Sequence, residues 1–250
     1  MPSFHNGSVE IAYLDTGKGD PIVLVHGFGS TKEINWVNPG WVETLTDDGR
    51  RVIALDNRGH GASSKLYDPA DYDRAVMADD VRALMDHLEI ERADVMGYSM
   101  GARITANLVI AHPGKIRSAI LGGVGKRLIT GGGLPGPIAE ALEAADAGEI
   151  TDPVGIMFRR FADQTKSDRL ALAACIRGGG PPLKPDVVAA IRVPLLVAVG
   201  TRDAIAGSPH ELAEIIPSAK VLEIPDRDHM LAVGDRVYKA GVLQFLKERP

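Results

Sequence analysis

The sequence predicts an α/β fold: a mostly parallel central sheet flanked by helices, with a short helical segment inserted before the penultimate strand. Two observations carry this. Short continuous apolar runs alternate with amphipathic stretches, as repeated β/α units require. One long stretch, residues 126–191, breaks the alternation and offers no convincing strand. The chain has 250 residues, 45% hydrophobic and 24% charged, enough to bury a full core.

Taken in order, Val9 to Leu14 reads as part of an opening hairpin closed near Thr16-Gly17-Lys18-Gly19-Asp20. Pro21 to Val25 is a continuous apolar run, as a strand buried on both faces requires. Arg51 to Leu55 and the shorter Ala93 to Met96 are further runs of this kind, followed by Ser118–Leu121, Pro194–Val199 and Ala219–Ile224. Met77, Val81, Leu84, Met85 and Leu88 recur at helical spacing on one face. Ile104, Leu108 and Val109 continue a helix that His112-Pro113-Gly114 stops. Asp235 to Lys247 reads as a closing helix.

The interrupting stretch has Gly and Pro clusters near its two ends, residues 131–137 and 178–182. Helix-like segments lie between them, around Ile138–Ala147, Pro153–Phe161 and Arg169–Ile176. This reads as a helical cap over residues 126–191, inserted into a core of residues 1–125 and 192–250, in preference to a run of ordinary surface helices.

Bulk properties narrow the partners. The net charge is −5, with no run of either sign, whereas phosphate binding needs clustered Lys and Arg. Nucleic acid and membrane are therefore not expected as partners, and no apolar run approaches the roughly 20 residues of a bilayer span. Cys175 is the one cysteine, so no intrachain disulfide forms, and its Ala/Leu-rich setting reads as a small buried thiol. The N-terminal residues show no basic segment followed by an apolar one, so a cytoplasmic location is expected and the Asn6-Gly7-Ser8 sequon carries no weight. No His or Cys pair has metal-ligand spacing, and the glycine-rich stretches match no nucleotide-binding pattern, so neither metal nor cofactor is expected.

The informative motif is Gly97-Tyr98-Ser99-Met100-Gly101, between an apolar strand and an amphipathic helix. A tight strand-to-helix turn leaves no room for a side chain at either glycine as Ser99 is driven into strained backbone geometry. A Ser hydroxyl needs a base, the base needs an orienting acid, and a developing oxyanion needs donors. His229 follows the last expected strand and Asp203 the penultimate one, so both can converge with Ser99 at the carboxyl edge of a parallel sheet. Their order along the chain is Ser, Asp, His. His26-Gly27-Phe28-Gly29, after the first buried strand, offers the Phe28 N–H as a partner to the Met100 N–H in an oxyanion hole.

With these motifs and Asp56-Asn57-Arg58-Gly59-His60-Gly61-Ala62-Ser63, the chain resembles the α/β-hydrolases of the esterase and lipase type over essentially its whole length outside the cap. The resemblance implies a serine hydrolase acting on a small-molecule acyl substrate: Ser99 as nucleophile, His229 as base, Asp203 as orienter, a carboxylic ester as the default substrate and no cofactor. It also implies structural roles for His26 and His60. Similar sites open enol-lactones, cleave C–C bonds in ring-fission products or form peracids, and a ligand-binding protein that keeps the fold with little turnover is the reading from another class. Asp226 and Asp228 read as loop carboxylates beside His229. Met157, Phe158 and Phe161 are candidates for lining the substrate site or for the cap's own small core, and Trp36 and Trp41 divide in the same way.

Overall fold

The computed structural model describes residues 2–131 and 137–249; of the first Gly/Pro cluster, residues 132–136 lie outside the described residues, as do Met1 and Pro250. The strands are β1 (Ser3–Asn6), β2 (Val9–Gly17), β3 (Asp20–Val25), β4 (Arg50–Leu55), β5 (Ala93–Tyr98), β6 (Ile116–Gly122), β7 (Leu195–Gly200) and β8 (Ala219–Ile224). They form one sheet in the order β1-β2-β4-β3-β5-β6-β7-β8, antiparallel at the first two pairings and parallel throughout the rest.

The opening hairpin forms, but elsewhere than expected. Strand β2 turns back on β1 through Gly7, which has φ 62, with Asn6 opposite Val9. The expected closure at Thr16–Asp20 joins no pair of neighbours, because β4 lies between β2 and β3. The reason is burial. The final four residues of β3 and of β4 are buried, which suits the middle of a parallel sheet, whereas β2 runs out to half-exposed residues and tolerates a place nearer the edge.

Alternation along β3 divides the core. Val23 and Val25 join Ile53, Leu55 and Val95 on one face, while Ile22 and Leu24 join Val52, Ala54 and Met96 on the other. The helices are α1 (Trp41–Asp47), α2 (Arg74–His87), α3 (Met100–Ala111), α4 (Arg127–Thr130), α5 (Pro137–Glu143), α6 (Pro153–Gln164), α7 (Arg169–Arg177), α8 (Pro185–Ala189), α9 (Pro209–Ala213) and α10 (Arg236–Glu248). Helices α2 and α3 bury Met77, Val81, Leu84, Ile104 and Leu108 on the first face; α1 and α10 bury Trp41, Leu45, Tyr238 and Phe245 on the second.

Between β6 and β7 the described residues carry helices α4–α8 and no strand, which places the helical insertion directly before the penultimate strand. The two longer helices there have built starts: Asp152 caps α6 and Asp168 caps α7, each accepting from a backbone N–H, with Pro153 opening α6. Helix α5 ends at Glu143 rather than near Ala147. The Arg159 guanidinium donates to the Ala141 and Ala144 carbonyls, and Arg169 also reaches Ala144, so two side chains satisfy carbonyls that a further turn of helix would have used.

Candidate active site

Strand β5 runs straight into α3, and Ser99 is the residue between them. Its backbone takes φ 55 and ψ −110, a region L-residues avoid. The conformation is held on both sides. The Ser99 N–H donates to the Gly122 carbonyl at 2.8 Å, and the flanking glycines leave no space: a Cβ on Gly97 would lie 2.2 Å from the Gly101 carbonyl oxygen, and one on Gly101 would lie 2.0 Å from that of Val25. The turn therefore lifts the half-buried Ser99 side chain off the end of the sheet, at the positive end of the α3 dipole.

The loops after β7 and β8 bring their side chains to the same edge. His229 Nε2 lies 2.9 Å from Ser99 Oγ, and His229 Nδ1 lies 2.7 Å from Asp203 Oδ2. With the Asp203 side chain fully buried, the tautomer that fits has Nδ1–H donating to the carboxylate and Nε2 accepting from the Ser99 hydroxyl. Asp203 is itself fixed, since Oδ1 accepts from the Ile205 and Ala206 N–H groups at 2.8 and 2.9 Å. Asp226 pairs with Arg202, and Asp228 accepts from the Met230 and Leu231 N–H groups, so both neighbours of His229 serve the loop. One residue that sequence reasoning passed over is Tyr98: its hydroxyl donates to the His229 carbonyl at 2.7 Å and ties the elbow to the loop that carries the imidazole.

Most backbone donors of the loop after β3 are already engaged. Gly27 N–H goes to Asn35 Oδ1, Gly29 N–H to His60 Nε2 and Ser30 N–H to the Gly27 carbonyl, which brackets the Phe28 N–H. Met100 opens α3, so its N–H has no carbonyl one turn earlier to bond. His26 and His60 brace this loop. His26 accepts from Asn57 N–H through Nε2 and donates through Nδ1 to Gly27, while His60 donates through Nδ1 to the Arg58 carbonyl.

Burial disfavours the imidazolium in both, and pushes His60 down to about 3. Below the ordinary histidine value of about 6.5 the unfolded chain takes up protons that the folded chain refuses, so stability falls as pH drops towards 3. Each such histidine steepens the loss by about 1.4 kcal/mol per pH unit. His60→Gln is therefore expected to show a flatter decline in urea-derived stability between pH 6 and 4 than the parent chain. An unchanged slope would mean that His60 titrates alike in both states.

Two cavities meet at Ser99. One, of about 300 Å³, is apolar and is lined by Ile34, Met157, Phe158, Phe161, Met230 and Val233, with Ser99 and His229 at its base. The Phe158 ring centre lies 5.7 Å from that of Phe28. Trp36 is not among its walls, contrary to expectation: the π-helical turn Glu33–Val37 points Ile34 and Asn35 at the cavity and sends Trp36 into the opposite core. There it lies edge-on to Trp41, which is equally buried. The second cavity, of about 250 Å³, is polar and is lined by Arg74, Arg103 and Asn107. Arg103 and Asn107 stand four residues apart on α3, and Arg103 comes four residues after Ser99 at its N-cap, a spacing visible in the sequence that would have found both.

Among the described residues no group of His, Cys, Asp and Glu could hold a metal ion, and no helix is long and apolar enough to cross a membrane.

A family model described as the alpha/beta hydrolase fold matches residues 20–153. The dihydrolipoyllysine-residue acetyltransferase component of the acetoin cleaving system of Pseudomonas putida is 34% identical over 229 residues, covering 85% of this chain and 59% of that protein. A 2-hydroxymuconate semialdehyde hydrolase of Pseudomonas sp. (strain CF600) is 38% identical over 130 residues, covering 52% of this chain and 43% of that protein. The chain thus spans less than two thirds of the length of both relatives. Among solved structures, a hydrolase from Pseudomonas aeruginosa PA01 superposes with a TM-score of 0.81 at 26% identity, covering 98% of this chain and 97% of that one.

Proposed function

The chain belongs to the α/β-hydrolase family, and on that premise we propose that it is a serine hydrolase cleaving a small-molecule carboxylic ester through an acyl-enzyme. The observation that carries the proposal is the hydrogen-bonded series Ser99–His229–Asp203 at the start of α3. A hydroxyl 2.9 Å from a neutral imidazole nitrogen, with that imidazole oriented by a buried carboxylate, is an activated nucleophile.

In the first half-reaction Ser99 Oγ bonds to the ester carbonyl carbon as its proton passes to His229 Nε2. Asp203 holds the imidazole tautomer and stabilises the imidazolium. The carbonyl oxygen becomes an oxyanion, received by the Phe28 and Met100 N–H groups at about 3–4 kcal/mol per donor. Collapse breaks the carbon–oxygen bond to the alcohol, and His229 gives its proton to the departing oxygen. In the second half water repeats the attack, with its proton going to His229 and returning to Ser99 as the acid leaves. The helices over residues 126–191 act as a cap on this chemistry, with Met157, Phe158 and Phe161 supplying its apolar wall.

A fluorophosphonate probe followed by peptide mass analysis tests the assignment together with p-nitrophenyl acetate and butyrate turnover. One adduct on Ser99 is expected, lost in His229→Ala, with turnover lost in step. Adduct formation elsewhere, or ligand binding without any Ser99-dependent turnover, overturns it. The relative named a 2-hydroxymuconate semialdehyde hydrolase favours a second reading, hydrolysis of a ring-fission product by the same residues. A ring-fission dienoate in the assay panel separates the two by which substrate has the higher kcat/KM.

A further inference from the structure

The two cavities that meet at Ser99 differ in charge, and that difference has a chemical use. Arg103 and Asn107 lie one and two turns along α3 from Ser99, and Arg74, which opens α2, faces them across the second cavity. Several buried or half-buried arginines of the fold meet carboxylates: Arg58 grips Asp80 with two hydrogen bonds, Arg51 grips Asp15, and Arg249 grips Asp94. Among the described residues, the ion pairs engage neither Arg74 nor Arg103. Arg74 spends Nη1 on the Tyr72 carbonyl and on Met77 Sδ and keeps a buried Nε without an acceptor. Burial, and then the like charges of Arg74 and Arg127, push the Arg103 guanidinium down to about 10, where it still carries its proton at neutral pH.

The Arg74 and Arg103 guanidinium groups, which the ion pairs leave out, share a partly enclosed cavity and repel one another, and in a chain of net charge −5 this is a local excess. A ligand carboxylate relieves that repulsion and meets guanidinium donors in the geometry they favour. The cavity is too small for a macromolecule and opens on the nucleophile itself.

The reaction fixes which part of the substrate enters it. The leaving oxygen must receive its proton from His229, and His229 lines the apolar cavity, not the cationic one. The alcohol therefore departs on the apolar side and the acyl chain extends past Arg103. Ser99 and Arg103 line the same cavity of about 250 Å³, so the anion sits a few carbons from the scissile carbonyl. We propose that Arg74, Arg103 and Asn107 form a carboxylate subsite for the acyl chain, so that the substrate class is the half-esters of short dicarboxylic acids. This rests on the ester-hydrolase reading above, with which it shares Ser99.

The test compares kcat/KM for monoethyl glutarate and for ethyl pentanoate, which has the same five-carbon acyl chain without the charge. The wild-type chain is expected to favour the half-ester at least 10-fold. In Arg103→Gln that ratio is expected to drop by about 10- to 100-fold, and Arg103→Lys to retain part of it. A wild-type ratio at or below one, or a ratio untouched by Arg103→Gln, overturns the subsite. Calorimetric titration of Ser99→Ala with glutarate reads the subsite without chemistry. Binding that disappears in Ser99→Ala/Arg103→Gln supports it even if neither ester is turned over, an outcome that removes the ester-hydrolase reading alone. No heat with glutarate, in a chain that does hydrolyse ethyl pentanoate, removes the subsite and leaves the hydrolase. If Arg103→Gln does not fold, Arg74→Gln and the wild-type ratio decide the same question.

Discussion

Replacing Ser99 with alanine is expected to lower ester turnover by about 10⁴- to 10⁶-fold, with Tm changed by no more than about 2 °C. The loss is large because the proposed nucleophile and base act as a unit: without Oγ, His229 has no proton to take and the acyl-enzyme has no oxygen to form on. Stability is spared because alanine keeps the Cβ, and the cost of φ 55 belongs to the Cβ, not to the hydroxyl. Ser99→Gly separates the two effects. It removes the same oxygen but also the clash, so it is expected to be as inactive as Ser99→Ala and more stable than the parent. Strain of about 1–3 kcal/mol is released against roughly 0.5–1 kcal/mol of added chain entropy. A net gain of about 1 kcal/mol, or about 2–4 °C in Tm for a chain of this length, is the expected reading. Near-normal turnover in Ser99→Ala sinks the nucleophile assignment, and a Ser99→Gly chain no more stable than the parent sinks the claim of stored strain.

What the sequence made legible, and what it did not, follows from how local each signal is. Apolar runs such as Pro21–Val25 and Arg51–Leu55 announce buried strands because a strand covered on both faces has no polar side to show. The positions of Ser99, Asp203 and His229 after β5, β7 and β8 follow from strand ends, which those runs locate. Pairing is a different matter. That β2 returns to β1 and lies beside β4 depends on which strands need the middle of the sheet, a competition among residues 3–55 that no single window contains.

Side-chain direction in irregular backbone was equally hidden. Ile34, Asn35 and Trp36 are consecutive in a turn just after the Phe28 loop, yet two face the cavity and the third is buried on the far side of the sheet. A π-helical turn has no period that a pattern of three residues can reveal. Arg103 was legible in principle, one turn from Ser99, but nothing in the sequence shows that a surface-type residue will find no carboxylate. That became visible only once the ion pairs of the fold were in place.

The glycine after Met100 carries the second large effect, this time on the fold. Gly101→Ala is expected to cost about 3–5 kcal/mol in urea-derived stability, far more than any change at Ser99. Gly101 takes ordinary backbone angles, so conformational freedom is not the reason it is glycine. Space is the reason. Its Cβ would lie 2.0 Å from the Val25 carbonyl oxygen, 2.6 Å from the Val25 carbonyl carbon and 2.7 Å from the His26 oxygen, all backbone atoms at the end of the central strand β3. A side chain in the way can rotate, but a central strand cannot be moved without its neighbours β4 and β5. Relief therefore requires α3 to lift from the sheet, which carries the Met100 N–H away from the Phe28 N–H and loosens the 2.9 Å approach of His229 to Ser99. Activity should then fall by more than the unfolded fraction explains. Gly114→Ala is the control, because Gly114 also has ordinary angles but nothing within 4 Å of its Cβ position, and it should stay within about 0.5 kcal/mol of the parent. A Gly101→Ala chain that loses under 1 kcal/mol and keeps its turnover would show that α3 can ride over β3 without disturbing the donors, and the close approach of helix to strand would no longer explain the glycine.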